Sequence, residues 1–293
     1  YFYIISNVLS SQSIYSESNF YLNIAKYLNP NFTSYNNLLA ENYYMIGNFK
    51  KSMEINLDLK SSGQTYNWHA IKKISSILLK QKKKEEAIKY FTNNFDKILN
   101  PDIYQLHDYA DFLKTNENYK ESINYYNKVL NIIDRQHFLY AKAMHGRGVA
   151  YERNNQWKEA EKDLLDSLDV KPNQAHVINY LAYSWIEQGI NVEKSMKMLN
   201  QANELKKNDG YIVDSLGWAF FKLKKYADAE KYLEFAVILM PADPVISDHY
   251  GDSLWMNGKK IQARYYWNHV LNLEETEKEL KEKIEKKMVS GIN

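Results

Sequence analysis

The chain has 293 residues and no cysteine, and its 38 Lys and Arg stand against 36 Asp and Glu, for a net charge of +2. Its ten glycines and five prolines make up about 5% of the residues, against about 12% in average proteins, which argues against sandwiches and barrels because these need frequent turns. An apolar content of 45% argues against a disordered chain, the lack of cysteine excludes disulfides and thiolate zinc sites, and the balanced charge argues against nucleic acid as a partner.

Residues 1–32 are predicted to form a degenerate helical half-repeat that ends at Asn29–Pro30. The apolar stretch Tyr1–Ser10 has neither the basic start nor the cleavage site of a secretory signal. No apolar run reaches the roughly 18 residues that a membrane span requires, so we expect no transmembrane segment. Because the chain does not start with Met, we interpret it as a processed form or a fragment, and any targeting signal or lipid anchor would precede it.

Residues 33–272 carry an internal repeat. Small residues recur every 34 or 35 residues, with one longer interval of 38, and we call this spacing one repeat length. A second series of small residues follows the first by 12 or 13 positions. Two antiparallel helices cross closely where small side chains meet, so each unit is predicted to be a helix, a tight turn and a second helix. The first series is Ala40, Ser75, Ala110, Gly148, Ala182, Gly217 and Gly251, and the second is Ser52, Ala87, Ser122, Ala160, Ser195, Ala229 and Ala263. The seven predicted repeats are 33–66, 68–101, 103–136, 141–174, 175–209, 210–243 and 244–272.

Proline and glycine mark the limits of these units. All five prolines lie between repeats, where the first turn of a helix accepts them. Gly47, Gly189 and Gly258 follow a small residue of the first series by seven positions, where a left-handed residue is expected to end the first helix. Lys82–Lys84 replaces this glycine in one repeat. The four extra residues His137–Tyr140 are predicted either to lengthen a helix or to form a small hinge.

A recurring pattern of Leu, Gly or Ala, and Tyr, followed by Ala, an aromatic residue, Ala and Pro, is clearest in residues 146–174 and 214–243. In these stretches the chain resembles the tetratricopeptide repeat (TPR) family. The resemblance implies an all-α, right-handed superhelical solenoid of helix–turn–helix repeats, whose first helices line a concave groove that binds a protein or peptide. Residues 179–260 also look like TPR lipoproteins and periplasmic TPR proteins of Gram-negative bacteria. That likeness favours the periplasmic side of a bacterial envelope, and a cytoplasmic location stays open.

Residues 273–293 are predicted to form a charged capping helix and tail. Leu273, Leu280, Ile284 and Met288 make an apolar stripe, and four Glu–Lys pairs at i,i+4 spacing support a solvated outer face. A helix of this kind covers the exposed end of a repeat array. A helix that binds a partner is the alternative.

No residue pattern in the chain indicates catalysis or a cofactor. The seven histidines lack the spacing of a metal site, the acidic residues show no pair for acid–base chemistry, and Gly146–Gly148 lacks the pattern of a phosphate loop. The basic run Lys80–Lys84 is interpreted as a solvated turn. We therefore expect no catalytic, metal-binding or cofactor-binding residue, and no enzyme activity.

The partner-binding groove is predicted on the first helices of the last repeats, where large aromatic residues of the kind found in binding hot spots are concentrated. The alternative is that some of them pack between adjacent repeats. Acids and aromatics stand where the family's clamp for chaperone tails has Lys and Asn, so a basic or apolar segment is the expected ligand. The predicted groove residues are Tyr183, Tyr211, Asp214, Trp218, Phe221, Asp248, Asp252 and Trp255.

These observations favour a non-enzymatic scaffold or adaptor. The likeness to periplasmic TPR proteins suggests that it tethers or activates an envelope protease or a cell-wall enzyme. The alternative is a structural or regulatory arm of a larger enzyme or multi-protein assembly. The sequence does not indicate the oligomeric state or the pathway.

Overall fold

The chain folds into α-helices. The computed structural model describes residues 1–274 and 276–292, leaving out the side chain of Gln64, and this part contains seventeen α-helices and no strand. The prediction of an all-α repeat fold is confirmed. The helices are α1 (Phe2–Ser11), α2 (Tyr15–Leu28), α3 (Ser34–Met45), α4 (Phe49–Leu59), α5 (Gln64–Lys80), α6 (Lys84–Phe95), α7 (Ile103–Thr115), α8 (Tyr119–Ile132), α9 (Tyr140–Arg153), α10 (Trp157–Val170), α11 (Ala175–Gln188), α12 (Val192–Leu205), α13 (Gly210–Lys222), α14 (Tyr226–Leu239), α15 (Pro244–Met256), α16 (Lys260–Asn272) and α17 (Lys278–Ser290).

Successive helices pack as hairpins, from α1 with α2 to α15 with α16. The chain divides into two compact units, Tyr1–Ile132 with α1 to α8 and Ile133–Asn293 with α9 to α17. Within a unit, the second helix of one hairpin also packs against the first helix of the next, as α2 does against α3 and α14 against α15. Within a unit, each first helix after the first hairpin therefore has one face toward its own hairpin partner and another toward the preceding hairpin.

Small residues lie where the two helices of a hairpin cross. A Cβ atom on Gly217 would stand 2.7 Å from Cγ of Leu233, so a side chain there would force the two helices apart. In the second hairpin the Ser52 hydroxyl donates to the main-chain carbonyl of Ala40 at 2.8 Å. This bond supplies a partner for a hydroxyl that the crossing buries. The two predicted series of small residues thus mark the crossing points.

Residues 1–32 form a complete hairpin instead of the predicted half-repeat. Ser6 and Ser18 precede Ala40 and Ser52 by one repeat length, and the Ser18 hydroxyl donates to the Ser6 carbonyl at 2.8 Å. The turn between α1 and α2 contains neither glycine nor proline, and Ser13 takes its left-handed position with a φ of 63°. The small residues continue the series here, but the breakers that would have revealed a second helix are missing.

The turn inside a hairpin contains a residue in the left-handed region of φ. Gly47, Gly189 and Gly258 have φ values of 76°, 68° and 80°, at the positions that the sequence predicts. Lys82 adopts a φ of 61° in the lysine run that replaces this glycine, although the conformation is less favourable for a residue with a Cβ. The extra residues His137–Tyr140 lie in the connection after α8 and reach only the first residue of α9.

The last helix, α17, lies one repeat length after α15, since Lys278 begins the one and Pro244 the other. Its fully buried Ile284 joins the apolar cluster of the last hairpin, and Leu280 and Met288 pack against the same cluster. Three residues of the predicted apolar stripe thus attach α17 to the last hairpin. α17 packs there as the first helix of a hairpin packs against the hairpin before it.

The outer face of α17 is charged. Glu285 is exposed and follows Gly251 by one repeat length, so it stands where the earlier hairpins have their small crossing residue. Of the predicted Glu–Lys pairs, Glu279 and Lys283 form an ion pair at 2.8 Å. A second helix that crossed α17 as in the hairpins would have to bury the Glu285 carboxylate.

Candidate functional site

The predicted groove residues lie on three neighbouring helices of the second unit. α11, α13 and α15 are the first helices of three consecutive hairpins, and α13 packs against both of the others. Matching positions on these helices are one repeat length apart. Side chains at such positions therefore come close to one another across the helix contacts.

All three acidic residues of the predicted groove are buried and paired within the chain. Nδ1 of His249 lies 3.0 Å from one carboxylate oxygen of Asp214 and 3.1 Å from the other. Nζ of Lys287, on α17, donates to the carboxylates of Asp248 and Asp252 at 2.7 to 2.8 Å. The three acids are at most 8% exposed. Because a buried charge without a partner is very costly, these contacts are what allows the acids to be buried.

Burial and neighbouring charges alter the proton affinities of these groups. Burial and the charge of Asp248 raise the pKa of Asp252 to about 6, against the opposing effect of Lys287. Burial lowers the pKa of His249, but the Asp214 carboxylate outweighs it, and the pKa ends above the usual 6.5. We call these five residues the buried charge cluster. It connects α13, α15 and α17.

Trp218 is the centre of an aromatic group on α13. Its ring stacks on His249 with 3.9 Å between ring centroids and on Phe221 with 4.7 Å. Its Nε1 donates to a carboxylate oxygen of Glu187 on α11, and Nζ of Lys222 lies 3.3 Å from the same carboxylate group. These contacts fix the orientation of the half-buried indole within the fold.

Two tyrosines lie on the same helices as this group. Tyr211, in the first turn of α13, is 53% exposed. Tyr183, on α11, is half-buried, and burial together with the charge of Glu187 raises the pKa of its hydroxyl above the usual 10. The hydroxyl therefore remains protonated at neutral pH. We refer to Tyr183, Tyr211, Trp218 and Phe221 as the aromatic patch.

Trp255, the last predicted groove residue, packs against the chain that follows α17. Its Nε1 donates to the main-chain carbonyl of Ile292 at 2.9 Å. The guanidinium of Arg264 lies 4.9 Å from its ring centroid, within the range of a cation–π contact. The structure thus places this indole in internal contacts, whereas Tyr211 of the aromatic patch is exposed.

Comparison with known proteins agrees with this geometry. The tetratricopeptide repeat family matches residues 102–173. The TPR repeat-containing protein PA4667 of Pseudomonas aeruginosa is 29% identical over 109 residues, which are 37% of this chain and 18% of that protein. The chain contains tetratricopeptide repeats, as the match over residues 102–173 shows. The match spans less than a fifth of the length of this bacterial relative.

Solved TPR structures share the fold. A tetratricopeptide repeat protein from Parabacteroides merdae is 18% identical, with a TM-score of 0.65 over 84% of this chain and 94% of that one. TTC0263, a thermophilic TPR protein of Thermus thermophilus, is 13% identical, with a TM-score of 0.56 over 64% of this chain and all of that one. At these identities the likeness concerns the fold alone. The tetratricopeptide repeats matched at residues 102–173 support a protein-interaction scaffold in general.

The TPR repeat length explains which site residues the sequence analysis missed. His249 follows Asp214 by one repeat length, and Lys287 follows Asp252 by the same interval. Opposite charges at this separation come into contact because they lie on adjacent first helices. A search for such pairs would have found both buried contacts and would have separated Asp214 and Asp252 from the aromatic patch.

The described residues show neither a grouped set of metal ligands nor a membrane-spanning helix. No three His, Asp or Glu side chains among them are arranged to hold a metal ion, and none of the described helices is both long and apolar enough to cross a bilayer. His107, one of the seven histidines, lies 3.3 Å from Asp111 of its own helix.

Proposed function

We propose that this TPR protein is a non-enzymatic scaffold that binds an extended segment of a protein partner across the aromatic patch of α11 and α13. One observation carries the proposal: the acids of the predicted groove are buried in internal ion pairs, whereas the rings of the patch keep accessible surface, with Tyr211 53% exposed. Aromatic side chains held in a fixed orientation are typical anchors of protein interfaces.

The proposed partner segment is apolar. The acids that would attract a basic segment are already paired with His249 and Lys287, so a basic segment loses its main source of attraction. The carboxylate of Glu187, beside Trp218, is likewise engaged with Lys222. An apolar side chain could instead cover the rings of the patch without breaking any of these contacts.

The partner that we propose is an envelope protease or a cell-wall enzyme, which the TPR protein tethers or activates. Support comes from the likeness of residues 179–260 to periplasmic TPR proteins of Gram-negative bacteria. The second candidate is a structural or regulatory arm of a larger enzyme or assembly. The matched segment is 18% of PA4667, so repeats of this kind also occur within a longer chain, as this second candidate requires.

Site-specific photo-crosslinking tests the proposal. A photo-reactive amino acid in place of Tyr211 is expected to crosslink one defined protein in an envelope fraction of the source cells. In the same chain, Trp218→Ala is expected to lower the yield at least about tenfold, because truncation of a hot-spot residue costs about 2 kcal/mol or more of binding free energy. A crosslink within the same polypeptide would support the regulatory arm instead.

The matched control places the photo-reactive group at Tyr265 on α16, which is 68% exposed and lies outside the patch. Phe235→Ala, on α14, serves as an aromatic truncation away from the site. An equal yield from position 265, or a yield at 211 that Trp218→Ala leaves unchanged in a folded variant, would contradict the proposal.

A further inference from the structure

The first helix of the chain exposes an apolar face. Tyr1, the residue just before α1, and Ile5 and Val8 within it follow one another by four and three residues, so they lie on one side of this helix. Their exposed fractions are 102%, 41% and 51%, and the neighbouring Ile4 is 65% exposed. Such a row of exposed large apolar side chains needs an explanation, because it is continuous and not a set of single residues.

The same positions are buried in later hairpins. Tyr35, Leu39 and Asn42 on α3 follow Tyr1, Ile5 and Val8 by one repeat length, and they are 7%, 5% and 0% exposed. The equivalent residues of α5 and α13 are at most 3% exposed: Ala70, Ile74 and Ile77, and Ile212, Leu216 and Ala219. The face of α1 is therefore an interface position of the repeat.

The structure also shows what covers this face in the next hairpin. Leu22 and Ala25 on α2 belong to the same apolar cluster as Leu39 of α3. Nδ2 of Asn42 donates to the hydroxyl of Ser18, also on α2, at 2.8 Å. The occupant of the face is thus the second helix of the preceding hairpin.

The two terminal helices of the described chain differ in this respect. α17 turns a charged side outward, with the exposed Glu285 at the crossing position. A terminal repeat of a soluble array carries such a polar outer face. On α1 the outward side instead carries Tyr1, Ile5 and Val8, which is the composition of an internal repeat.

We propose that the face of Tyr1, Ile5 and Val8 is an interface for the second helix of a further two-helix repeat ahead of α1 in the same polypeptide. The covering helix presents an apolar pair three residues apart, as α2 does with Leu22 and Ala25. The relative PA4667 is more than five times longer than its matched segment, so related chains have room for additional repeats. The inference rests on burial along the repeat and is independent of the proposed function.

Amide hydrogen exchange of α1 tests this interface. The 293-residue chain is compared with the protein expressed from the complete reading frame. In the longer protein the amides of α1 are expected to exchange at least tenfold more slowly, because a second helix covers them. Ile5→Lys together with Val8→Lys is expected to abolish this gain, whereas Asn7→Lys, at an exposed position off the face, is expected to leave it in place.

A reference protein with a copy of residues 1–34 fused ahead of Tyr1 places a known second helix on the face and gives the protection expected for an occupied interface. Equal exchange in the two natural chains would overturn the proposal, as would a gain that survives the double substitution. A reading frame that encodes no helical hairpin ahead of Tyr1 would do so too. Protection that rises with the concentration of the shorter chain would assign the face to a second copy and also overturn it.

Discussion

At the scale of single residues, each hairpin depends on a side chain that is small or absent where its helices cross. Among the crossing glycines of the second unit, Gly217 comes closest to the main chain of its hairpin partner, because a Cβ there would lie 3.1 Å from the main-chain nitrogen of Leu233 as well as 2.7 Å from its Cγ. A main-chain atom of a packed helix cannot move away as a flexible side chain can.

We predict that Gly217→Ala destabilises the second unit by about 1 to 3 kcal/mol, the usual range for overpacking. Gly258→Ala provides the comparison, because no atom lies within 4 Å of its added Cβ and only the φ of 80° opposes it. Its expected loss is about 1 kcal/mol. Denaturant unfolding with hydrogen exchange on α13 and α14 measures both. A Gly217→Ala protein as stable as the natural one would contradict the crossing assignment.

Proton binding by the buried charge cluster is also a property of single residues. Asp252 has a pKa of about 6 in the fold, above its usual 3.8, so its protonation stabilises the folded state, and this stabilisation is lost as the pH rises from about 4 through 6. The pKa of His249 lies above its usual 6.5, so its contribution is complete below that pH and is lost as the pH rises through the folded value. Both effects have the same sign.

We therefore predict that α15 and α17 are most stable in mildly acidic solution and lose stability from about pH 4 to above pH 7. The Asp252 part is about 2 to 3 kcal/mol, since one pKa unit corresponds to about 1.4 kcal/mol. Exchange protection of these helices, corrected for intrinsic exchange, measures the trend. Asp252→Asn should flatten its lower part and His249→Gln its upper part. Protection that increases with pH over this range would show that the sign is wrong.

At the scale of elements, α17 is held by one apolar and one ionic contact. Ile284 is fully buried in the cluster of the last hairpin, and Lys287 lies between the carboxylates of Asp248 and Asp252. The lysine is only 17% exposed at its side chain. Its removal would leave two buried carboxylates facing each other.

We predict that Lys287→Ala destabilises the last hairpin and α17 by about 3 to 5 kcal/mol, as expected when one partner of a buried pair is removed. Lys283→Ala, on the same helix in an exposed ion pair with Glu279, is expected to cost less than about 1 kcal/mol. Thermal unfolding compares the two. Adding Asp252→Asn to Lys287→Ala should recover part of the loss, and two lysine variants of equal stability would disprove the buried pair.

Over the whole molecule, the sequence predicts those features that depend on contacts between helices adjacent in the chain. The hairpins and their turns follow from the two offset series of small residues and from the few glycines, because these contacts join neighbouring helices. The pairing of Asp214 with His249 joins positions a full repeat apart, and its burial depends on how adjacent hairpins stack. The sequence therefore predicts one groove that combines the aromatic patch with three acids, although the fold buries these acids in internal ion pairs. The α1–α2 hairpin was missed because its turn contains neither glycine nor proline, so nothing in the local sequence marks the start of a second helix.

The exposed Glu285 has a consequence for how the number of repeats changes in descent. Duplication of one internal hairpin reproduces the contacts between neighbouring hairpins at each new junction, so the array tolerates it. A hairpin formed with α17 itself would first require replacement of that glutamate by a small residue. Related chains should accordingly vary in the count of their internal hairpins, and a chain in which a further helix crosses the counterpart of α17 should carry a small residue in place of this glutamate.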